Sequence, residues 1–259
     1  MEIPRFWVRA KGDAETPEGA QRQLSAWGWS SATLDQGRDV AQERLLRLMA
    51  RVKQGEPLPK GYGYGTRPVR EQILEQIPAG NNPAAVLTRN AYGSVVLNTA
   101  RLLFIDVDEP SGTLDALRSA LRACAPTTFR IYRTAAGFRA MAIDREFAPE
   151  TSEANELLQH CGADPAFVQL CRVQKSFRAR LTPKPWRCQY HVPPGQFPRE
   201  AAEERQFEQW LSGYENACRR YATCKFLETV GSGNTLSALD PLVRLHDTKT
   251  RCQEALPLA

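Results

Sequence analysis

The chain has 259 residues, 42% of them apolar and 24% charged, with a formal net charge of +5. That balance belongs to an ordinary water-soluble globular protein and excludes a low-complexity chain. No apolar run approaches the roughly 20 residues that span a bilayer, and the opening Met1-Glu2-Ile3-Pro4-Arg5 lacks a secretory pattern. The expectation is a cytoplasmic protein without membrane contact, its seven cysteines kept as thiols.

In chain order, residues 1–30 carry Trp7, Trp27 and Trp29 among several breakers and suggest a strand and a short helix. Val40, Leu45, Leu46, Leu48, Met49 and Val52 recur at helical spacing behind Asp35, which predicts a helix over 33–52. The Gly-, Pro- and Tyr-rich stretch 55–65 lacks the spacing of a phosphate-binding loop and reads as a connector. Stacking of a nucleobase on Tyr62 or Tyr64 is the alternative. A short helix is expected over 69–76.

The middle of the chain alternates more clearly. Strands are expected over 84–88 and 94–97, joined by a turn at Asn90-Ala91-Tyr92-Gly93, and a third over 102–108. A helix over 111–123, capped by Ser111, presents Leu114, Leu117 and Leu121 on one face. Strands over 127–133 and 138–143 enclose the turn Thr134-Ala135-Ala136-Gly137, and a helix follows over 152–159. Beyond Pro193 the chain is mostly polar and helical, with Phe207, Trp210, Leu211 and Tyr214 spaced as core contacts. This order predicts an α+β protein with an RRM-like mixed or antiparallel sheet and helices on one face. The core would span 84–192, with a mainly helical region 1–83 packed on it and a C-terminal helical region 193–259.

The chemistry-bearing stretch is Leu102-Leu103-Phe104-Ile105-Asp106-Val107-Asp108. A short apolar run reads as a buried strand, and Asp106 and Asp108 then project from the same face. Two carboxylates so placed repel unless a cation or a shared proton intervenes, which suits Mg²⁺ or Mn²⁺; a solvated strand end is the plainer alternative. The hairpin turn at Thr134 and Gly137 would let backbone approach a ligand, with Arg139 pointing a fixed cation at it. Six basic residues and no acid lie between Arg172 and Arg187, a stripe of the kind that meets phosphates or else a solvated face. His160, Cys161, Cys171, Cys188 and His191 match no common zinc spacing.

This order resembles the archaeo-eukaryotic primase (primase-polymerase) superfamily: an Asp-x-Asp strand, a Ser/Thr-Gly-x-Gly-Phe-His hairpin, a third Asp, then a basic segment. Here these elements look like Asp106-Val107-Asp108, Thr134-Ala135-Ala136-Gly137-Phe138-Arg139, Asp164 and the stretch holding Arg172, Arg178, Arg180 and Lys184. The likeness covers roughly residues 84–188 and departs where Arg139 stands for the family's His and Ala135 for its first Gly. It implies catalytic, metal-holding Asp106, Asp108 and Asp164, with Asp144 competing for the third place. It also implies phosphate binding by Thr134, Gly137, Arg139, Arg172, Arg178, Arg180 and Lys184, with Phe177 or Trp186 either stacked on bases or buried.

The expected activity is metal-dependent nucleotidyl transfer on a nucleotide triphosphate or nucleic acid, in a member that need not polymerise. Alternatives are an RNA- or DNA-binding module without catalysis and a metal-dependent nuclease or phosphatase. For the last, residues 102–114 resemble the Asp-x-Asp-Gly-Thr-Leu opening of haloacid-dehalogenase-type phosphatases, interrupted by Glu109-Pro110-Ser111. The helical flanks offer surfaces for a protein partner.

Overall fold

A computed structural model describes residues 1, 3–58, 67–79, 82–109 and 112–259. Two compact units divide the chain, residues 2–70 and residues 71–259, with Met1 counted in the second. Among the described residues no helix is long and apolar enough to cross a membrane.

In the first unit, β1 (Phe6–Glu15) and β2 (Gln21–Ser30) form an antiparallel hairpin, followed by α1 (Leu34–Lys53). Thr33 caps α1 by accepting from the Gln36 amide at 3.2 Å, close to the expected start. The hairpin replaces the expected strand and short helix. Its apolar alternation is blurred because one face carries aromatic rings under cations: Arg9 and Arg70 lie 5.8 and 4.1 Å from Trp27. The other face packs Ala14, Leu24 and Ala26 with Leu45 and Val52 of the helix.

The second unit begins with β3 (Gln72–Ala79), where a short helix was expected. Ile73 and Ile77 have helical spacing, but pairing with β4 (Asn82–Arg89) prevails, and much of this edge strand is exposed. The expected connector lies largely outside the described residues. There follow β5 (Val95–Thr99), β6 (Phe104–Asp108), α2 (Leu114–Ala123), β7 (Phe129–Thr134) and β8 (Gly137–Ala142). Then come α3 (Ser152–His160), α4 (Pro165–Gln174), β9 (Phe177–Arg180), a 3-10 turn Pro185–Cys188, α5 (Ala201–Cys218), β10 (Cys224–Val230) and α6 (Asp240–Thr250). Ser111 lies outside the described residues; Thr113 caps α2 through the Ala116 amide at 3.2 Å.

The fold is α+β with antiparallel sheets. One runs β10-β7-β8-β6 and the other β3-β4-β5-β9, with β9 lying beside β6. β6, α2, β7 and β8 make a split β-α-β unit, with β8 inserted between β6 and β7. The C-terminal region is not only helical, because β10 joins the core sheet on the outer side of β7. Ile105, Phe129, Ile131 and Ala140 are fully buried, which suits strands covered on both faces. Arg118 of α2 reaches Glu228 of β10 at 2.5 Å, while α6 sets His246 against Tyr132 and Phe104. α5 packs Phe207, Trp210 and Tyr214 into a second cluster with Cys188, as their spacing predicted.

Candidate phosphate-binding site

The antiparallel register puts Asp106 of β6 directly opposite Arg139 of β8, Arg139 opposite Tyr132 of β7, and Tyr132 opposite Phe226 of β10. Residues so opposed stand within side-chain reach. Arg139 therefore forks onto Asp106, Nε donating to Oδ1 at 2.7 Å and Nη2 to Oδ2 at 2.9 Å. Its Nη1 donates to the Arg180 carbonyl at 3.1 Å and faces His246 Nε2 at 3.4 Å. Arg139 is 2% exposed and the Asp106 side chain 34%. Burial works against the guanidinium charge, but the Asp106 carboxylate outweighs it and holds Arg139 above its ordinary pKa.

Behind this pair lies a closed polar network. His246 Nδ1 is 3.0 Å from Asp247 Oδ1, which also accepts from the Tyr132 hydroxyl at 2.8 Å. Arg130 donates to Asp247 Oδ2 at 2.7 Å and to the Tyr132 oxygen at 2.8 Å. Burial drives His246 down to about 4, so the ring is neutral. A neutral ring with Nδ1–H on Asp247 offers Nε2 as an acceptor to Arg139. The sequence reading missed His246 and Asp247. Their signal was a lone His beside Leu242 and Val243 at helical spacing, and nothing local ties it to Arg139, 107 residues away.

The hairpin turn is built for its own backbone. A Cβ on Gly137 would lie 2.1 Å from the Val107 carbonyl oxygen and 2.9 Å from the Asp108 Cα, so glycine is required for β8 to meet β6. Thr134 Oγ1 accepts from the Ala136 amide at 3.4 Å. Gly137→Ala is expected to cost about 2 kcal/mol, read as a lower urea midpoint, because only backbone movement relieves the clash.

The other expected site residues separate. Asp164 is exposed and caps α4, accepting from the Phe167 amide at 2.9 Å ahead of Pro165, so it does not complete a carboxylate triad. Asp144, its competitor, accepts from the Thr128 amide at 2.8 Å beyond the far end of β8. Arg178 is pinned by Glu71 at 2.7 Å, and Glu71 also accepts from Thr88 Oγ1 at 2.5 Å inside the second sheet. Its guanidinium is therefore committed to the fold and not offered to phosphate. Arg172 is exposed on α4 in a groove with residues of α3. Among the described residues no group of three or more His, Cys, Asp or Glu side chains is arranged to hold a metal. With both Asp106 oxygens on Arg139 and Asp164 capping a helix, the chain's own residues do not fit the expected two-ion set.

What does converge is positive. At the end of β9, Arg180 and Arg187 act electrostatically on Lys184, and Arg187 on Arg180, beside Asp108 at the end of β6. Lys184 is lowered by burial and then by Arg180 and Arg187, with Asp108 pulling the other way. Arg180 is lowered by burial and then by Arg139, with Asp106 opposing. The Arg180 Nε is buried and has no hydrogen-bond partner among the described residues. Phe177 is fully buried, whereas Trp186 is 48% exposed beside Lys184.

Fold and site together define an α+β protein with a basic, partly desolvated strand end beside a neutralised carboxylate. Compared with known proteins, the chain matches no family model, no curated protein and no solved structure.

Proposed function

We propose that this protein binds the phosphates of a nucleotide or nucleic acid through Arg180, Lys184 and Arg187. In this reading the likeness to primase-polymerases is one of scaffold, and Asp106 serves to hold Arg139 in the sheet. The observation that carries the reading is the unmet cationic cluster: Arg180 has a buried, unpartnered Nε, its charge is disfavoured by Arg139 and Arg187, and the charge of Lys184 is disfavoured by Arg180 and Arg187. Arg139, Arg180, Lys184 and Arg187 are four cations against the two carboxylates of Asp106 and Asp108. A phosphate lowers that excess, whereas a divalent ion raises it and has to strip Arg139 from Asp106.

The test is fluorescence anisotropy with a labelled single-stranded oligonucleotide, in EDTA and in Mn²⁺. Binding is expected to survive EDTA and to weaken with salt. Lys184→Ala should weaken it further and flatten the logarithmic salt dependence by about one unit. Asp108→Asn is expected to leave it unchanged or stronger. Binding that requires Mn²⁺ and disappears in Asp108→Asn would return the acidic strand to metal-dependent nucleotidyl transfer.

A further inference from the structure

Two large rings sit in the open next to the cationic cluster. Tyr92, at the β4–β5 turn, is 46% exposed, and Trp186, in the 3-10 turn, is 48% exposed. Their centroids are 5.1 Å apart with the planes at 87°, and Lys184 Nζ stands 5.4 Å from the Trp186 ring. The two rings contact each other edge to face, and Trp186 a cation.

The backbone beneath them is fixed. Asn90 Oδ1 accepts from the Tyr92 and Ser94 amides, both at 3.0 Å, which locks the turn. Gly93 closes it at φ +83°, and a Cβ there would lie 2.3 Å from Trp210. The Pro183 carbonyl accepts from Ser94 Oγ at 2.9 Å and from the Tyr214 hydroxyl at 2.5 Å. The Val95 amide donates to Thr182 Oγ1 at 2.9 Å. These bonds tie the Tyr92 turn to the segment that carries Lys184, between Pro183 and Pro185, and Trp186. The backbone beneath both rings is therefore fixed in advance, which lowers the ordering cost of a stacking platform.

We infer that Tyr92 and Trp186 stack on the unpaired bases of single-stranded nucleic acid whose phosphates lie on Arg180, Lys184 and Arg187. This rests on the phosphate-binding reading above and narrows its ligand. A duplex keeps its base faces inside, so it cannot use the rings; an unpaired strand offers both charge and π-faces. The juxtaposition of two open rings with three cations is the complementarity that selects this partner.

The experiment compares three labelled probes on the full-length protein: an oligothymidine of about twenty nucleotides, an abasic strand of the same length and a duplex. Wild type is expected to bind oligothymidine about tenfold more tightly than the abasic strand. Trp186→Ala should remove that preference while leaving the abasic affinity unchanged, and Tyr92→Ala should reduce it. Trp186→Phe, which keeps a π-face, should restore most of it. Equal oligothymidine binding by wild type, Trp186→Ala and Tyr92→Ala would overturn the platform while sparing the phosphate reading. Failure of wild type to bind either single strand would overturn both. Unchanged melting temperatures of the variants, expected for side chains this exposed, establish that each folds.

Discussion

Asp106→Ala is expected to destabilise the protein by about 3 kcal/mol, and the direction of the change separates two accounts of the acidic strand. Two carboxylates waiting for metal repel each other in the metal-free protein, so removing one leaves stability unchanged or raises it. Here Asp106 is the counter-charge of a guanidinium that is 2% exposed. Its loss leaves Arg139 charged and buried, with Nε and Nη2 deprived of their acceptors. Water reaches one edge of the carboxylate, which is why the figure sits at the low end for a broken buried pair. Urea denaturation monitored by circular dichroism measures it. The double variant Asp106→Leu/Arg139→Met should recover most of the loss, because apolar groups of similar size replace a buried pair at little cost. An Asp106→Ala protein as stable as wild type would sink the structural assignment of the pair.

The second large effect is a loss of stability on mild acidification, carried by His246. Its folded pKa, about 4, lies below the ordinary value of 6.5 because burial disfavours the imidazolium. Below about pH 6.5 an unfolded chain takes up a proton that the native ring refuses, so stability falls as pH drops. The contribution is complete above 6.5 and is lost progressively down to about 4, where the native ring also protonates. A gap of that size corresponds to about 3 kcal/mol. His160 and His191 are exposed, so the trend is assigned by His246→Gln, whose unfolding free energy should be nearly flat between pH 6.5 and 4.5. A wild-type curve equally flat in that window would remove His246 from the account. Burial pushes the Asp247 carboxyl up, but its bonds to His246 and Tyr132 and the Arg130 charge together outweigh that and hold it low, so its own loss of charge belongs to more acidic conditions.

These two effects describe one structure. The Asp106–Arg139 fork meets the Arg180 carbonyl on one side and the His246–Asp247 pair on the other. It therefore ties β6, β8, β9 and α6 together beside the cationic cluster. A fixed cation at position 139, where the resembled family carries a histidine, pairs here with Asp106 of the neighbouring strand.

Much of the fold was legible along the chain because periodicity is local. The buried run before Asp106, the hairpin around Gly137, the helix at α1 and the spacing of Phe207, Trp210 and Tyr214 each reflect a face turned to the core. Even Asp164-Pro165 carried a local message, a capping acid before proline, that describes its place at α4 better than metal ligation does. The basic stripe was legible as composition. Which of its members are committed was not. Arg178 is engaged by Glu71 and Arg139 by Asp106, across 107 and 33 residues, and these pairings exist only once strand neighbours and register are set. Local pattern along the chain was enough for the central strands and helices, the α+β class and the placing of two acids on one strand face, though not for the N-terminal hairpin, β3 or β10. Which charges cancel and which remain depends on strand neighbours brought together by the fold. Periodicity says which way a side chain points, whereas a buried charge takes its meaning from the partner that the fold brings to it.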